Sequence, residues 1–331
     1  MIGVIVVTFQ SAETIEACLE SLHRSTHADL RVVLCDNNSS DETLDKARAW
    51  ARRNNTELDE TTPDTLPGSA RFTFLQTGAN LGFAGGVNAG LTFFLADPDI
   101  TLFWIFNPDG EALPHTAAAF AKRAAEVGDF ALMGGRIRYH EAPRHIQSDG
   151  GTVFTWSGIC KNLNAGLLPQ DATMPAAEDL DFISGASMIA SRTFVERVGL
   201  MQEDYFLYYE EVDWAARRRE LPLVLCPDAE VLHHGGTAIG TGAVNRRASP
   251  FANYFNYRNR MRFLARFRPL ALPSAWVLSM LRVVKLLCLG AVAEAGAAAR
   301  GCSGLPPPRP VRDRIAPADR PLAFQRKGAR T

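Results

Sequence analysis

The 331-residue sequence has no cysteine pair at C-x-x-C spacing, no Gly-Lys-Ser or Gly-Lys-Thr phosphate loop and a formal net charge of only -1. The six cysteines, Cys18, Cys35, Cys160, Cys226, Cys288 and Cys302, are scattered, several of them in apolar runs. That pattern excludes a disulfide scaffold and a cysteine zinc site, and it points to buried thiols in a reducing compartment. The balance of 35 basic against 36 acidic residues gives no global reason to bind nucleic acid. The apolar stretch Leu270 to Ala299 is interrupted by Arg282 and Lys285, and its uncharged runs fall short of the roughly 18 residues that span a bilayer. The first strand begins at Ile2 without a charged leader, so no signal peptide is expected.

What is present reads as alternating strands and helices. Ile2 to Thr8, Arg31 to Cys35, Arg71 to Gln76 and Leu102 to Phe106 are short apolar runs of buried-strand type. Between them, Ala12 to Leu22 has apolar residues at helical spacing, and Ser39 with Glu42 forms a capping-box signature for a helix toward Arg53. Residues 54–70 read as a surface loop, Phe130 to Ile137 as a strand broken by Gly134-Gly135, and 139–178 as a long excursion of the functional kind. The predicted class is α/β, a Rossmann-like, mostly parallel sheet flanked by helices. Ligands of such sheets lie beyond the strand carboxyl ends, which places Thr8, Phe9, Asp36 and Asn37 on the binding edge. Asp36 could accept hydrogen bonds from a base or ribose, or Asp36 and Asn37 could simply start a turn.

Three further stretches carry chemistry. Asn80 to Gly90, with glycines at 82, 85, 86 and 90, offers close backbone approach and free helix N–H groups to phosphate, or is merely a turn. Asn107-Pro108-Asp109 ends the fourth strand. It fits either a turn or a carboxylate holding a divalent cation between two phosphates. His233 and His234 stand at a strand end before glycines, as metal ligands or as structural residues. The densest stretch is Tyr205 to Trp214, where aromatics adjoin Glu210, Glu211 and Asp213. Burial there would raise a carboxylate pKa toward that of a general base; the alternative is a helix start with acids answering the macrodipole. From Arg258 onward 15 Lys and Arg face three acids, Glu294, Asp313 and Asp319. Residues 251–300 therefore read as basic, aromatic, amphipathic helices suited to a membrane surface, or as ordinary packing on a 1–250 catalytic domain. Residues 301–331, rich in Pro and Arg, read as a disordered tail.

Six segments in order resemble the inverting GT-A glycosyltransferases of family 2 type, in the rhamnosyltransferase-like branch: residues 4–9, 35–41, 80–88, 106–109, 206–214 and 227–236. The resemblance implies a nucleotide-sugar donor held by Thr8, Phe9, Asp36, Asn37, Asn80, Gly82, Phe83, Gly86, Asn88 and Asn107. It implies Mg²⁺ or Mn²⁺ on Asp109 and His233, with His234 the less favoured ligand. Glu211 matches the catalytic base, and Glu210, Asp213, Gly185 and Trp214 match positions that support it or bind acceptor. Two departures stand out: Asn107 replaces the first Asp of the metal motif, and Glu211 stands where many relatives carry Asp. The expected activity is transfer of a sugar, rhamnose from dTDP-rhamnose foremost, to a lipid-linked or polysaccharide acceptor of the cell envelope. The expected location is the cytoplasmic face of the membrane. A non-catalytic nucleotide-sugar-binding protein is the alternative, motivated by Asn107. A nucleotidyltransferase is disfavoured because no basic Gly-rich loop lies near the N-terminus.

Overall fold

The computed structural model describes residues 1–141, 144–235 and 247–324. The first half alternates as the sequence predicts: β1 (Ile2–Thr8), α1 (Ile15–His23), β2 (Leu30–Asp36), α2 (Thr43–Arg53), β3 (Leu58–Thr61), β4 (Phe72–Gln76), α3 (Gly82–Leu95) and β5 (Leu102–Phe106). Then come β6 (Gly110–Ala112), α4 (Thr116–Val127), β7 (Leu132–Tyr139), β8 (Ile146–Ser148), β9 (Gly151–Val153), β10 (Cys160–Asn162), β11 (Ser187–Ser191), α5 (Arg192–Val198), α6 (Glu210–Ala216) and β12 (Leu223–His233). The chain closes with α7 (Pro250–Phe267), α8 (Leu272–Cys288), α9 (Val292–Cys302), α10 (Arg309–Arg312) and α11 (Arg320–Phe324).

The main sheet runs β3-β4-β2-β1-β5-β11-β7-β12-β6, with β8 on β7. The β3 to β5 portion is parallel; β11 enters antiparallel between β5 and β7. Strand alternation divides the core. Ile2, Val4 and Val6 of β1 join the cluster with α1 and α2 around Trp50, and Ile5 joins the cluster with α3 on the other face. The chain moves outward from β1 to β4, then crosses back to β5 on the other side of β1. That reversal leaves a crevice at the strand carboxyl ends.

Several sequence expectations shift. The 54–70 loop contains the edge strand β3, partly buried against β4. Gly134 and Gly135 lie inside β7 without breaking it; a Cβ on Gly135 would come within 2.4 Å of the Ala229 carbonyl, so glycine there permits close approach. Residues 227–229 form an irregularity within the single strand β12, not a turn between two elements. The capping box does not form: α2 starts at Thr43, and Ser39 turns back to Asp36. All six cysteines are free.

The C-terminal part departs furthest. Phe263 and Leu264 of α7 belong to the same core cluster as the sheet, so α7 is an integral layer. The tail expected to be disordered is ordered through Phe324: Val311, Ile315 and Ala323 are buried against Phe251, Tyr254 and Phe255. These three buried apolar side chains outweigh the proline and arginine content that suggested disorder. Residues 325–331 lie outside the described residues. Among the described residues α8 leaves a broad apolar face open, with Trp276, Val277, Leu278, Leu281, Val284 and Leu287 all exposed.

Candidate active site

At the carboxyl ends of β1 and β2, paired Thr8 and Asp36 meet in register. Thr8 Oγ1 donates to Asp36 Oδ1 (2.8 Å), as does Ser39 Oγ (2.6 Å), and the Ser39 N–H donates to Oδ2 (2.8 Å). Both residues are buried, while Phe9 is open to solvent. Asn37 Nδ2 donates to the Gly82 carbonyl (2.8 Å), and Asn80 Oδ1 accepts from the Gly82 N–H (3.0 Å). Gly82 has φ +72°, and a Cβ there would lie 2.3 Å from the Phe206 carbonyl. The next N–H, of Phe83, donates to that carbonyl (2.7 Å). One hydrogen-bonded chain thus links the sheet edge to the start of α3 and on to the segment before α6.

Two expected donor-binding residues face elsewhere. Gly86 lies within α3 against β1, where a Cβ would meet Val7 at 2.5 Å, so its role is close helix–sheet packing. The buried Asn88 donates from Nδ2 to the Met201 carbonyl and to Glu203 (both 3.0 Å) and accepts from the Met201 N–H (3.0 Å). Its polar atoms are committed to the protein. Both sit on the inward face of a helix that the glycine-rich pattern presented as a loop.

The second cluster forms where β12 pairs with β6, His233 opposite Gly110. His233 Nε2 lies 2.9 Å from Asp109 Oδ1 and 3.1 Å from Asn107 Nδ2; Nδ1 lies 2.6 Å from Gln147 Oε1. With Gln147 accepting the Nδ1 proton, Nε2 is left facing the Asp109 carboxylate and the Asn107 amide, an arrangement that a second ring proton or a divalent cation would satisfy. The donor set of one carboxylate and one oriented imidazole therefore fits a divalent metal, with Gln147 fixing the tautomer. His234 diverges from its neighbour. Its ring stacks on His140 (centroids 4.1 Å, 22° between planes), and His140 Nε2 meets Glu111 Oε1 at 3.0 Å. The ligand atoms of Glu111, His140 and His234 lie within 4.8 Å of one another and form a second group able to hold a metal. Stacked imidazoles cannot both present an in-plane lone pair to one ion without turning, so Asp109 and His233 fit better. Gly236, the end of the histidine motif, lies outside the described residues.

The third element is the turn into α6. Phe206, Tyr208 and Tyr209 all have positive φ (63°, 68° and 73°), a conformation costly for aromatic residues. The clamp comes from α7. Asn259 Nδ2, fully buried, donates to the carbonyls of Tyr205 (2.8 Å), Leu207 (2.6 Å) and Tyr208 (3.1 Å), and Arg258 donates to Tyr205 (2.8 Å). The strained turn delivers Glu210 and Glu211. Glu210 is buried, and its Oε2 has no hydrogen bond. Burial raises its pKa well above the carboxylate range, and the charge of Glu211 adds to this. Glu211 is partly buried, with Oε2 enclosed and unbonded; burial pushes its pKa up to about 7, against opposing backbone N–H groups of its own turn. Glu211 lines a cavity of about 120 Å³ with Cys160, Tyr208, Tyr209, Asn256 and Arg260. Gly185 is beside it: a Cβ there would stand 3.3 Å from Phe83 and 4.0 Å from Glu211 Cβ.

Asp213 and Trp214 were expected to support the base or bind acceptor, and the structure commits both to the fold. Asp213, fully buried, bonds Arg217 Nε (2.8 Å), Tyr205 Oη (3.0 Å) and Arg266. Trp214, also fully buried, donates from Nε1 to the Gly199 carbonyl (2.8 Å). Sequence reasoning gave no role to Gln147 or Arg260: Gln147 lay in the aperiodic excursion, and Arg260 was read as part of a basic, aromatic helix. Asn259 stood out only with Arg258, as a pair that looks like the family's C-terminal region.

Residues 3–176 match Glycosyl transferase family 2. A low-salt glycan biosynthesis hexosyltransferase, Agl10 of Haloferax volcanii, is 24% identical over 272 residues, covering 80% of this chain and 75% of that protein. An N-acetylglucosaminyl-diphospho-decaprenol L-rhamnosyltransferase of Mycobacterium tuberculosis is 27% identical over 266 residues, covering 75% and 81%. Among solved structures, GalNAc-T7 with UDP, GalNAc and Mn²⁺ aligns with a TM-score of 0.56 at 14% identity, over 80% of this chain and 47% of that one. Mannosyltransferase PcManGT from Pyrobaculum calidifontis, with GDP-Man and Mn²⁺, aligns at 0.52 and 17% identity, over 91% and 75%. The chain belongs to glycosyl transferase family 2, resembles its rhamnosyltransferase-like members and has the GT-A fold.

Proposed function

We propose that the protein is an inverting, metal-assisted hexosyltransferase with Glu211 as its base. The observation that carries this reading is the Glu211 carboxylate: raised to about 7, without a cation partner, and lining a cavity. In the reaction, a hydroxyl of the acceptor gives its proton to Glu211 as its oxygen bonds to the anomeric carbon. The bond from that carbon to the nucleoside diphosphate breaks with inversion, and no covalent enzyme intermediate forms. Glu210, kept protonated by burial beside Glu211, leaves the single ionised carboxylate on its neighbour. Thr8, Asp36, Asn37 and Asn80 shape the donor edge, with Phe9 exposed beside it. Asp109 and His233 would hold Mg²⁺ or Mn²⁺, which offsets the charge developing on the leaving diphosphate. Mn²⁺ accompanies the nucleotides in both structural relatives.

Rhamnose from dTDP-rhamnose is the proposed donor group, and a lipid-linked envelope glycan the proposed acceptor; the rhamnosyltransferase relative supports both. The proposed location is the cytoplasmic membrane surface. Residues Pro269–Cys288 have a mean hydropathy of 1.6 and are long and apolar enough to cross a membrane. We place α8 along the interface because its inner side packs on α7 and α9 and it carries Arg282 and Lys285. Exposed Phe154 and Trp156 belong to a turn that meets the start of α8, where Ser274 donates to the Trp156 carbonyl (2.5 Å).

The test is release of nucleoside diphosphate from a panel of nucleotide sugars, with and without membrane lipid extract. Release from one donor that requires added lipid and is abolished by EDTA and by Glu211→Gln is the expected result. Metal-dependent binding of a donor without release under every condition would favour the non-catalytic reading that Asn107 motivates.

A further inference from the structure

Arg260 lines the same cavity as Glu211. Arg260 is only 6% exposed, and its Nε has no hydrogen-bond partner. Its guanidinium lies over the Tyr257 ring (4.6 Å) and donates to Ser279 of α8 through an Nη atom. Among the described residues no carboxylate lies within ion-pair distance of it. Room for its stem comes from Gly158 at φ +65°, where a Cβ would stand 3.1 Å from Arg260 Cγ. A buried guanidinium is costly without an anion, and a planar fork of donors matches phosphate oxygens. Glu211 and Arg260 line one cavity of about 120 Å³, and no ion pair joins them. Side chains meant only to hold the fold would pair, as Asp213 and Arg217 do at 2.8 Å nearby.

We propose that Arg260 is the binding residue for a phosphate group on the acceptor, set so that the acceptor hydroxyl meets Glu211. This rests on the transferase reading for its physiological meaning. It adds that the acceptor is an anion, with phosphate close to the sugar that is extended. The anchor also connects to the membrane element, since Ser279 lies on the helix whose outer face bears Trp276 and Leu281. A bilayer headgroup could offer the same chemistry, but the cavity is shared with the base, which favours the acceptor's own phosphate.

The probe is decyl phosphate, kept below its critical micelle concentration and titrated calorimetrically into the full chain in EDTA, which prevents metal-bridged binding at the donor edge. Saturable binding is expected, weakened about tenfold or more in Arg260→Met and less in Arg260→Lys, with decanol bound alike by wild type and Arg260→Met. Equal affinity of wild type and Arg260→Met for decyl phosphate overturns the proposal, as does equal affinity of wild type for decanol and decyl phosphate. If Arg260→Met does not fold, Arg260→Lys carries the test: a loss of about threefold or more supports the site, and unchanged affinity overturns it. Co-sedimentation with phosphatidylglycerol vesicles is expected to be the same for wild type and variant. Its loss in the variant would assign the phosphate to a bilayer headgroup and overturn the acceptor assignment. Arg260-dependent binding of decyl phosphate without transfer from any donor would remove the transferase reading alone. Transfer with Arg260-independent binding would remove this site alone.

Discussion

The two sides of α6 treat a carboxylate in opposite ways. Asp213, toward α7, is fully buried and neutralised by Arg217 and Arg266, with Tyr205 as a third donor. Two residues earlier, Glu211 is enclosed without a cation partner, and burial raises its pKa to about 7. Asp213 finds Arg217 four residues on along its own helix and Arg266 on α7, whereas Glu211 has Ala215 at the same spacing and forms no ion pair. A carboxylate whose charge is answered inside the protein stabilises the fold. One whose charge is left unanswered beside a cavity is poised for proton transfer.

The largest effect that would break this contrast is on stability. Asp213→Asn leaves two arginines without their buried anion and is expected to cost about 3–5 kcal/mol in urea unfolding. A loss below about 1 kcal/mol would mean that Asp213 is no more structural than Glu211. Next comes Asn259→Ala, which removes the donor group that holds three carbonyls of the strained turn. A stability loss of about 2 kcal/mol is expected, with turnover lowered more than donor KM is raised. A change confined to donor KM would place Asn259 outside the positioning of Glu211. The smallest effect sharpens the other side. Because the folded-state pKa of Glu211 is raised, the folded protein binds more protons than the unfolded chain between the ordinary carboxylate value and about 7. Wild-type stability from this group is therefore full at low pH and falls as pH rises through 7. Glu211→Gln removes that loss and is expected to unfold later than wild type above pH 7, by about 1–3 kcal/mol, and to lose its advantage toward pH 4. Equal stability at pH 8 would show that the carboxylate is not destabilised by burial.

The strands were legible because burial on both faces writes an uninterrupted apolar run, as in Val4 to Val7 and Leu102 to Phe106. The α6 stretch stood out because carboxylates next to aromatics conflict locally. Partner choice was legible only in part. Arg217, four residues on, was open to reading as a partner of Asp213, but Arg266 lies 53 residues from Asp213 in the chain, and Gln147, which bonds His233 Nδ1, lies 86 residues from His233. Gly86 and Asn88 looked like loop residues because a glycine-rich helix start and a phosphate-binding turn share their composition. The 301–324 segment looked disordered because Pro and Arg dominate its count, whereas buried Val311, Ile315 and Ala323, the Phe324 ring on Phe255 and the Arg258 bond to the Ala323 carbonyl anchor it.

The most direct test of the central claim is single-turnover sugar transfer by wild type and Glu211→Gln between pH 5 and 9, on protein shown to be folded by circular dichroism. Wild-type rates are predicted to rise with pH and level off above about 7, as Glu211 loses its proton. The variant is predicted to be about 10²–10⁴-fold slower, without that rise. A variant within a few fold of wild type, with the same pH profile, would contradict the assignment of Glu211 as the base.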